Sequence, residues 1–397
     1  MSSIATDRVI VGRQSIRDAG SAVVGYVLLT AAADPQFRDE DAPGLPPAAV
    51  GGNLDALVGD RRLFWPLPAD GSDEPPAPPA RTVLTVGEDI NDDPAVVTRC
   101  VELAGAGYGI ALTGLPWAAP DAALTAAASI AEIDTGAHPA AELPALVERL
   151  RRPGLQLLAT GLDTPDALAT ARELGFDLFR GAAVERLPCE QRREPGPSEL
   201  ARARMSATLL QNPLDFDEIE DMLRTEPGLT YQVIELASIG RLGDTARQVT
   251  SLRRALVLVG SWRIQNWMVM LLAQPQAERT DGAMSGALAR ARACELLTAG
   301  LGRNEARLGF TAGMISSFEQ LTQVPRDELV QTLALSAELR DAAFGGESEL
   351  GRVVADVAAR QEGADGEVGR SGRPVAAIEA ALAAGYEWAL RASAVLA

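Results

Sequence analysis

Arg13-Gln14-Ser15-Ile16, the turn-like Arg17-Asp18-Ala19-Gly20 and the run Ala22-Val23-Val24-Gly25-Tyr26-Val27-Leu28-Leu29 decide how this chain is read. Two short apolar runs flank a polar turn that carries Gly, which predicts a β-hairpin. From this hairpin to about Leu187, short apolar runs alternate with helical patterns, the mark of βα units and a largely parallel sheet. Strands are expected at Val23–Leu28, Leu63–Pro66, Thr82–Val86, Gly109–Leu112, Ser129–Ile133, Leu155–Ala159 and Asp177–Phe179. Helices are expected near Pro47–Gly59, Pro94–Ala104, Pro139–Arg151 and Pro165–Leu174, several opening with Pro behind Asp or Thr. The stretch Pro66–Pro79, dense in Pro and Asp, reads as a surface loop. So many βα units close most naturally into a barrel, whose chemistry sits at the C-terminal ends of the strands.

Composition bounds the function. The chain has 397 residues, 47% of them hydrophobic, enough to bury the cores of two domains or three. A formal charge of −18 argues against a nucleic-acid binder, which needs cations to neutralise phosphates. Cys100, Cys189 and Cys294 are far apart and form neither a zinc pattern nor a disulfide framework, so a reducing compartment is expected. No apolar run reaches the length of a membrane helix, and the N-terminus carries no leader-like segment; a cytoplasmic protein without a membrane partner is the expectation.

Residues 191–199 fall in a polar stretch interrupted by Pro and form the expected linker between a first domain at 1–190 and a second at 200–397. Beyond it the pattern turns helical. Asp215, with Glu218 three positions on, caps a helix carrying Ile219, Met222 and Leu223. Pro227 opens the next, with Leu229, Val233 and Leu236 on one face. Thr250-Ser251 caps a third, Leu252, Ala255, Leu256 and Val259 recur at helical spacing, and Gly260 stops it. In the apolar run from Trp262, the residues Ile264, Trp267, Met268 and Leu271 share a face that reads as core. Trp262 and Val269 lie opposite, with Met270 on a flank; full burial in a bundle is the simpler reading, and a partner interface at these three residues is the alternative. Helices are expected near Met284–Leu301, Asn304–Phe318 and Arg326–Leu333. Gln361–Arg373 reads as a mobile loop, and Ala376–Leu396 as a last helix packing back on its own half.

The opening hairpin resembles the first strands of EAL domains, the cyclic di-GMP phosphodiesterase barrels, and the resemblance extends over the whole first half. The Asn-Pro, Glu-Pro-Gly-Leu-Thr and Thr250-to-Gly260 segments resemble the HDOD domain, a helical relative of HD phosphohydrolases. Together they imply a bacterial two-domain signalling architecture: a TIM-like barrel of EAL type followed by an α-helical HDOD bundle. Position by position, the resemblance implies a lost site. The metal-binding Glu after Gly-Tyr is Val27, the Leu-Glu-x-x-Glu strand keeps only Glu88 beside Thr85, and the paired aspartates are Thr113 and Gly114. The catalytic Lys is Glu132 next to a retained Asp134, a further metal Glu is Thr160, and the Gln of the last strand is Arg180. Divalent cations need several hard anionic oxygens, which Val, Thr and Gly do not supply. The single histidine, His138, lies in the barrel half, so the helical half has no imidazole for an HD-type metal site.

These readings imply no enzyme activity and no cofactor. They point to a signalling or scaffold protein acting through protein partners, self-association included, with cyclic di-GMP bound weakly or not at all. A cyclic di-GMP effector that does not hydrolyse its ligand and a residual phosphodiesterase are the two competing readings.

Overall fold

Strand β1 (Arg8–Asp18) and strand β2 (Val23–Ala32) pair antiparallel, as the opening stretch predicts. The turn lies two residues later than its composition suggests. Asp18 stays in the strand because its carboxylate accepts the Ala22 N–H at 2.9 Å while its backbone N–H meets the Ala22 carbonyl, and Ser21 takes the left-handed conformation at φ 67°. The computed structural model describes residues 8–32, 50–67, 74–87, 94–114, 122–187, 215–238, 248–261, 264, 268, 283–322, 324–333, 335–345 and 347–394.

From β2 the sheet runs parallel through β3 (Arg62–Pro66), β4 (Thr82–Val86), β5 (Gly109–Thr113), β6 (Ile130–Asp134), β7 (Gln156–Thr160) and β8 (Leu178–Phe179). β8 then pairs antiparallel with the end of β1, Arg17 facing Phe179 and Asp18 facing Leu178, and the barrel is closed. Helices α1 (Leu54–Val58), α2 (Pro94–Gly105), α3 (Ala122–Ala127), α4 (Leu143–Leu150), α5 (Pro165–Glu173) and α6 (Ala182–Glu185) follow the strands. Thr164 caps α5 by accepting the Ala167 N–H, with Pro165 at the first helical position, where its missing N–H costs nothing.

Strand alternation sorts the barrel's side chains. Ile16, Phe64, Val83, Ala111, Ile130, Leu158 and Leu178, one from each of seven strands, fill the bore, with Val24 and Val27 of β2 against them. Their neighbours along the same strands, such as Leu84, Ile110, Leu112, Ala131 and Leu157, face outward and pack under α2, α4 and α5.

The second half contains α7 (Phe216–Thr225), α8 (Pro227–Ser238), α9 (Leu252–Val259), α10 (Ala283–Thr298), α11 (Arg303–Ser316), α12 (Phe318–Thr322), α13 (Arg326–Thr332), α14 (Ala337–Ala343), α15 (Glu349–Glu362) and α16 (Val375–Ala394). The expected caps are present: Asp215 accepts the Asp217 and Glu218 N–H groups, Ser251 accepts that of Arg254, and Gly260 ends α9 at φ 83°. Ile264 and Met268 are buried in the same core as α7 to α11, as their face of the apolar run predicts; Trp267 and Leu271 lie outside the described residues.

The two halves share a core. Val9, Val11 and Ala31, from the open end of the hairpin, are buried in the helical cluster, while Ala289 of α10 and Tyr386 and Leu390 of α16 join a cluster against Ile10 and Tyr26. β1 lies directly against α15 and α16. At the register shift between Ile10 and Gly12 the strand comes so close to α15 that a Cβ on Gly12 would collide with the Gln361 carbonyl oxygen.

The expectation of a mobile loop at Gln361–Arg373 is corrected. Gln361 and Glu362 complete α15, and the following loop is tied to Asp356, a fully buried residue of that helix. Its carboxylate accepts the backbone N–H groups of Gly369 (3.0 Å), Arg370 (2.9 Å) and Ser371 (2.8 Å), and the Ser371 hydroxyl at 2.5 Å. Gly and charge mark a loop here, but the buried acceptor lies on the preceding helix and holds it in place.

Candidate functional site

The bore residues fix where the chemistry of the barrel mouth must lie. Two residues beyond Val83, Ala111, Ile130, Leu158 and Leu178, the strands carry Thr85, Thr113, Glu132, Thr160 and Arg180, which alternation turns to the same side at the C-terminal end. The positions named by the resemblance therefore converge.

Val27 pairs in register with Phe64 and packs against the bore cluster, an apolar side chain where a ligand carboxylate would stand. The Thr113 hydroxyl donates to the Val86 carbonyl at 3.2 Å, and Thr160, 5% exposed, sits beside the Ile133 carbonyl. Gly114 follows β5 at φ 63°, a turn position without a side chain. Asp134 is exposed; its Oδ1 accepts the Gly136 N–H at 2.9 Å, so the retained aspartate closes a local turn. Glu88 lies outside the described residues, as do Trp262, Val269 and Met270.

Glu132 and Arg180 are the charged residues that meet at the mouth. Arg180 Nη2 donates to Glu132 Oε1 at 2.6 Å, with the Glu132 side chain 9% and the Arg180 side chain 22% exposed. Burial pushes the Glu132 carboxyl up; Arg180 pulls it down, and Asp134 pushes it up further. The pair joins β6 to the residue after β8 and neutralises itself. The donor set does not fit a divalent ion: two hydroxyls of three threonines are turned to backbone carbonyls, and the buried carboxylate is held by a guanidinium. Among the described residues no group of three or more His, Cys, Asp or Glu is gathered for a metal.

A second polar site, which the sequence reading does not single out, lies on the outer side of β1. Here Arg13, Ser15 and Arg17 project toward the helical half and meet Glu185, Arg290, Gln361, Glu362 and Tyr386 around a cleft of about 580 Å³. Arg290, 3% exposed, donates to Gln361 Oε1 at 2.7 Å and to Glu362 Oε1 at 2.8 Å; Gln361 in turn donates to the Tyr386 hydroxyl at 3.0 Å. Glu185 accepts the Ser15 N–H, and its burial pushes its carboxyl up. The sequence does carry a signal, the alternation Arg13-x-Ser15-x-Arg17 on a strand.

The geometry defines a closed barrel with a helical half docked on its first strand. Residues 198–341 match the family model of the HDOD domain, in agreement with the second resemblance; α15 and α16 lie beyond the matched segment. Solved structures similar to the N-terminal region are EAL domains. PaMucR phosphodiesterase in complex with c-di-GMP is 20% identical, covers 45% of this chain and 90% of its own, and gives a TM-score of 0.35. The YkuI protein of Bacillus subtilis, with an EAL domain in complex with c-di-GMP and calcium, is 14% identical over 61% of this chain and 71% of its own, also at 0.35. The uncharacterized protein YuxH of Bacillus subtilis is 23% identical over 282 residues, 68% of each chain. No helix of the described residues is long and apolar enough to cross a membrane.

Proposed function

We propose that this chain is a catalytically inactive signalling protein that acts by binding protein partners within cyclic di-GMP signalling. The observation that carries this reading is the Glu132–Arg180 pair in the mouth of the barrel. Phosphodiester hydrolysis on divalent ions needs several carboxylate oxygens in one cage to hold the ions and generate hydroxide. At this mouth the positions that resemble ligands are Val27, Thr85, Thr113, Gly114 and Thr160, and the one buried carboxylate faces an arginine. The HDOD match supports a signalling role, since a helical half without histidine carries no imidazole for metal-dependent hydrolysis. Cyclic di-GMP enters as the setting because the barrel resembles EAL domains and the similar solved structures include complexes with it. The effector reading is weaker: a dianionic ligand needs free cations, and Arg180 is engaged by Glu132.

The test is hydrolysis of cyclic di-GMP by the full chain with Mg²⁺ or Mn²⁺. No turnover above buffer is expected, and Val27→Glu alone should restore none. Turnover that disappears in Asp134→Ala would overturn the reading.

A further inference from the structure

We propose that the cleft between β1 and the helical half is a binding site for a phosphate-bearing small molecule of nucleotide size, with Arg17 as its anchor. The cleft is not the barrel mouth; it lies on the outside of the barrel wall, and its volume of about 580 Å³ is that of a small-molecule site.

The charge count points to an anion. Among the described residues the lining holds six arginines (13, 17, 186, 290, 326 and 370) against four glutamates (185, 319, 362 and 367), an excess of two positive charges in a chain of net charge −18. The excess is local. Arg186 and Arg370, from separate elements, share Glu367, at 2.9 and 3.5 Å. Arg290 is saturated by Gln361 and Glu362.

Arg17 differs. It is 7% exposed, and its guanidinium makes two long hydrogen bonds, Nε to Ser15 Oγ at 3.4 Å and Nη1 to the Leu187 carbonyl at 3.5 Å, and among the described residues no ion pair. A guanidinium has five N–H donors, and a buried one with so few partners is held at a cost that a bound anion would remove. A phosphate matches it better than a single carboxylate does, because its oxygens can take Arg17 from the barrel side and the rim arginines from the other. Val354, Ala355 and Ala358 of α15 supply an apolar wall for the rest of the molecule. Glu185, whose charged form Arg17 favours and burial disfavours, competes with such a ligand wherever it is ionised.

The experiment is calorimetry on the full chain at fixed ionic strength with inorganic phosphate, GMP and cyclic di-GMP as probes. At least one nucleotide probe is expected to bind more tightly than inorganic phosphate, about tenfold more weakly in Arg17→Gln, and more tightly in Glu185→Gln, which keeps the acceptor for Ser15 but removes the charge. Should Arg17→Gln fail to fold, Arg17→Lys keeps the charge without the fork and should also weaken binding. The proposal is overturned if no probe binds, if Arg17 variants bind as the parent does, or if binding is lost in Arg180→Gln instead, which would place it at the barrel mouth. Hydrolysis plays no part in this readout, so it stands or falls separately from the inactive-barrel reading.

Discussion

The barrel mouth and the outer cleft each bury a carboxylate near an arginine, and they handle it in opposite ways. At the mouth Arg180 meets Glu132 directly at 2.6 Å and the charges are consumed by each other. In the cleft Glu185 takes the Ser15 N–H instead, leaving Arg17 with two long bonds around an open volume. A charge already paired in a site is scaffold; a buried charge held loosely beside a cavity is available to a ligand. The position where the fold would be expected to work is therefore the one with its electrostatics closed.

The sharpest way to break this contrast is to remove each arginine. Arg180→Met leaves the Glu132 carboxylate buried without its partner and should lower stability by about 3–5 kcal/mol at neutral pH, read by denaturant unfolding. Converting Glu132 to Gln in the same chain should recover much of that. Arg17→Met should cost only about 1 kcal/mol, since the bonds it loses are long. Equal costs would mean that Arg17 is as structural as Arg180, and the contrast would fail.

The rim of the cleft offers the next test. Asp356 holds the loop that presents Arg370 by accepting three backbone N–H groups and a hydroxyl. Asp356→Ala strands those donors, and a loss of about 2–3 kcal/mol is expected, with faster proteolysis between Gly363 and Arg373. The docking of β1 on α15 is tested by Gly12→Val, whose side chain would meet the Gln361 carbonyl. A loss of about 1–3 kcal/mol is expected, with the two halves melting apart in calorimetry. A single unchanged transition would mean that the strand shifts to make room and that the interface is softer than its packing implies.

How much of this was legible in the sequence depends on whether the cause was local. β4 begins and ends where the expected strand does, and the caps at Asp215, Thr164 and Ser251 form as their spacing implies, because a cap is decided within four residues. The gathering of the mouth positions was legible too, since period-two alternation carries Thr85, Thr113, Glu132, Thr160 and Arg180 to one end of the bore. What that pattern leaves out is distance. Arg180 and Glu132 lie 48 residues apart, and nothing in either strand says they touch. The ordered loop after α15 was misread for the same reason: Asp356 looks like any polar helix residue until the chain folds back on it. The cleft is assembled from β1, β2, α6 and the helices from α10 to α16, so only the Arg13-Ser15-Arg17 alternation marked one of its walls.

The smallest expected effect separates the two carboxylates by pH. Burial raises both Glu132 and Glu185 above the ordinary value of 4.5. Between that value and the raised one, the folded chain binds more protons than the unfolded chain, so the contribution of each is fully present below 4.5 and is lost as pH climbs through the raised value. Unfolding free energy followed from about pH 5 to about pH 8 should therefore carry a downward component from each residue. Glu132→Gln and Glu185→Gln should each flatten the curve. Besides burial, the groups acting on Glu185 are the Ser15 N–H, the Ser15 hydroxyl and Arg17 from β1, which pull it down, and Glu362 from α15, which pushes it up; Tyr386 of α16 feels its charge in turn. The Gln variant keeps the bond to Ser15, so a flatter curve reports the lost proton and not a lost contact. If Glu185→Gln leaves the slope unchanged, Glu185 is ionised throughout and its charge is answered by Arg17. The arginine would then be spoken for, and the cleft would be a second closed pair like the one at the mouth.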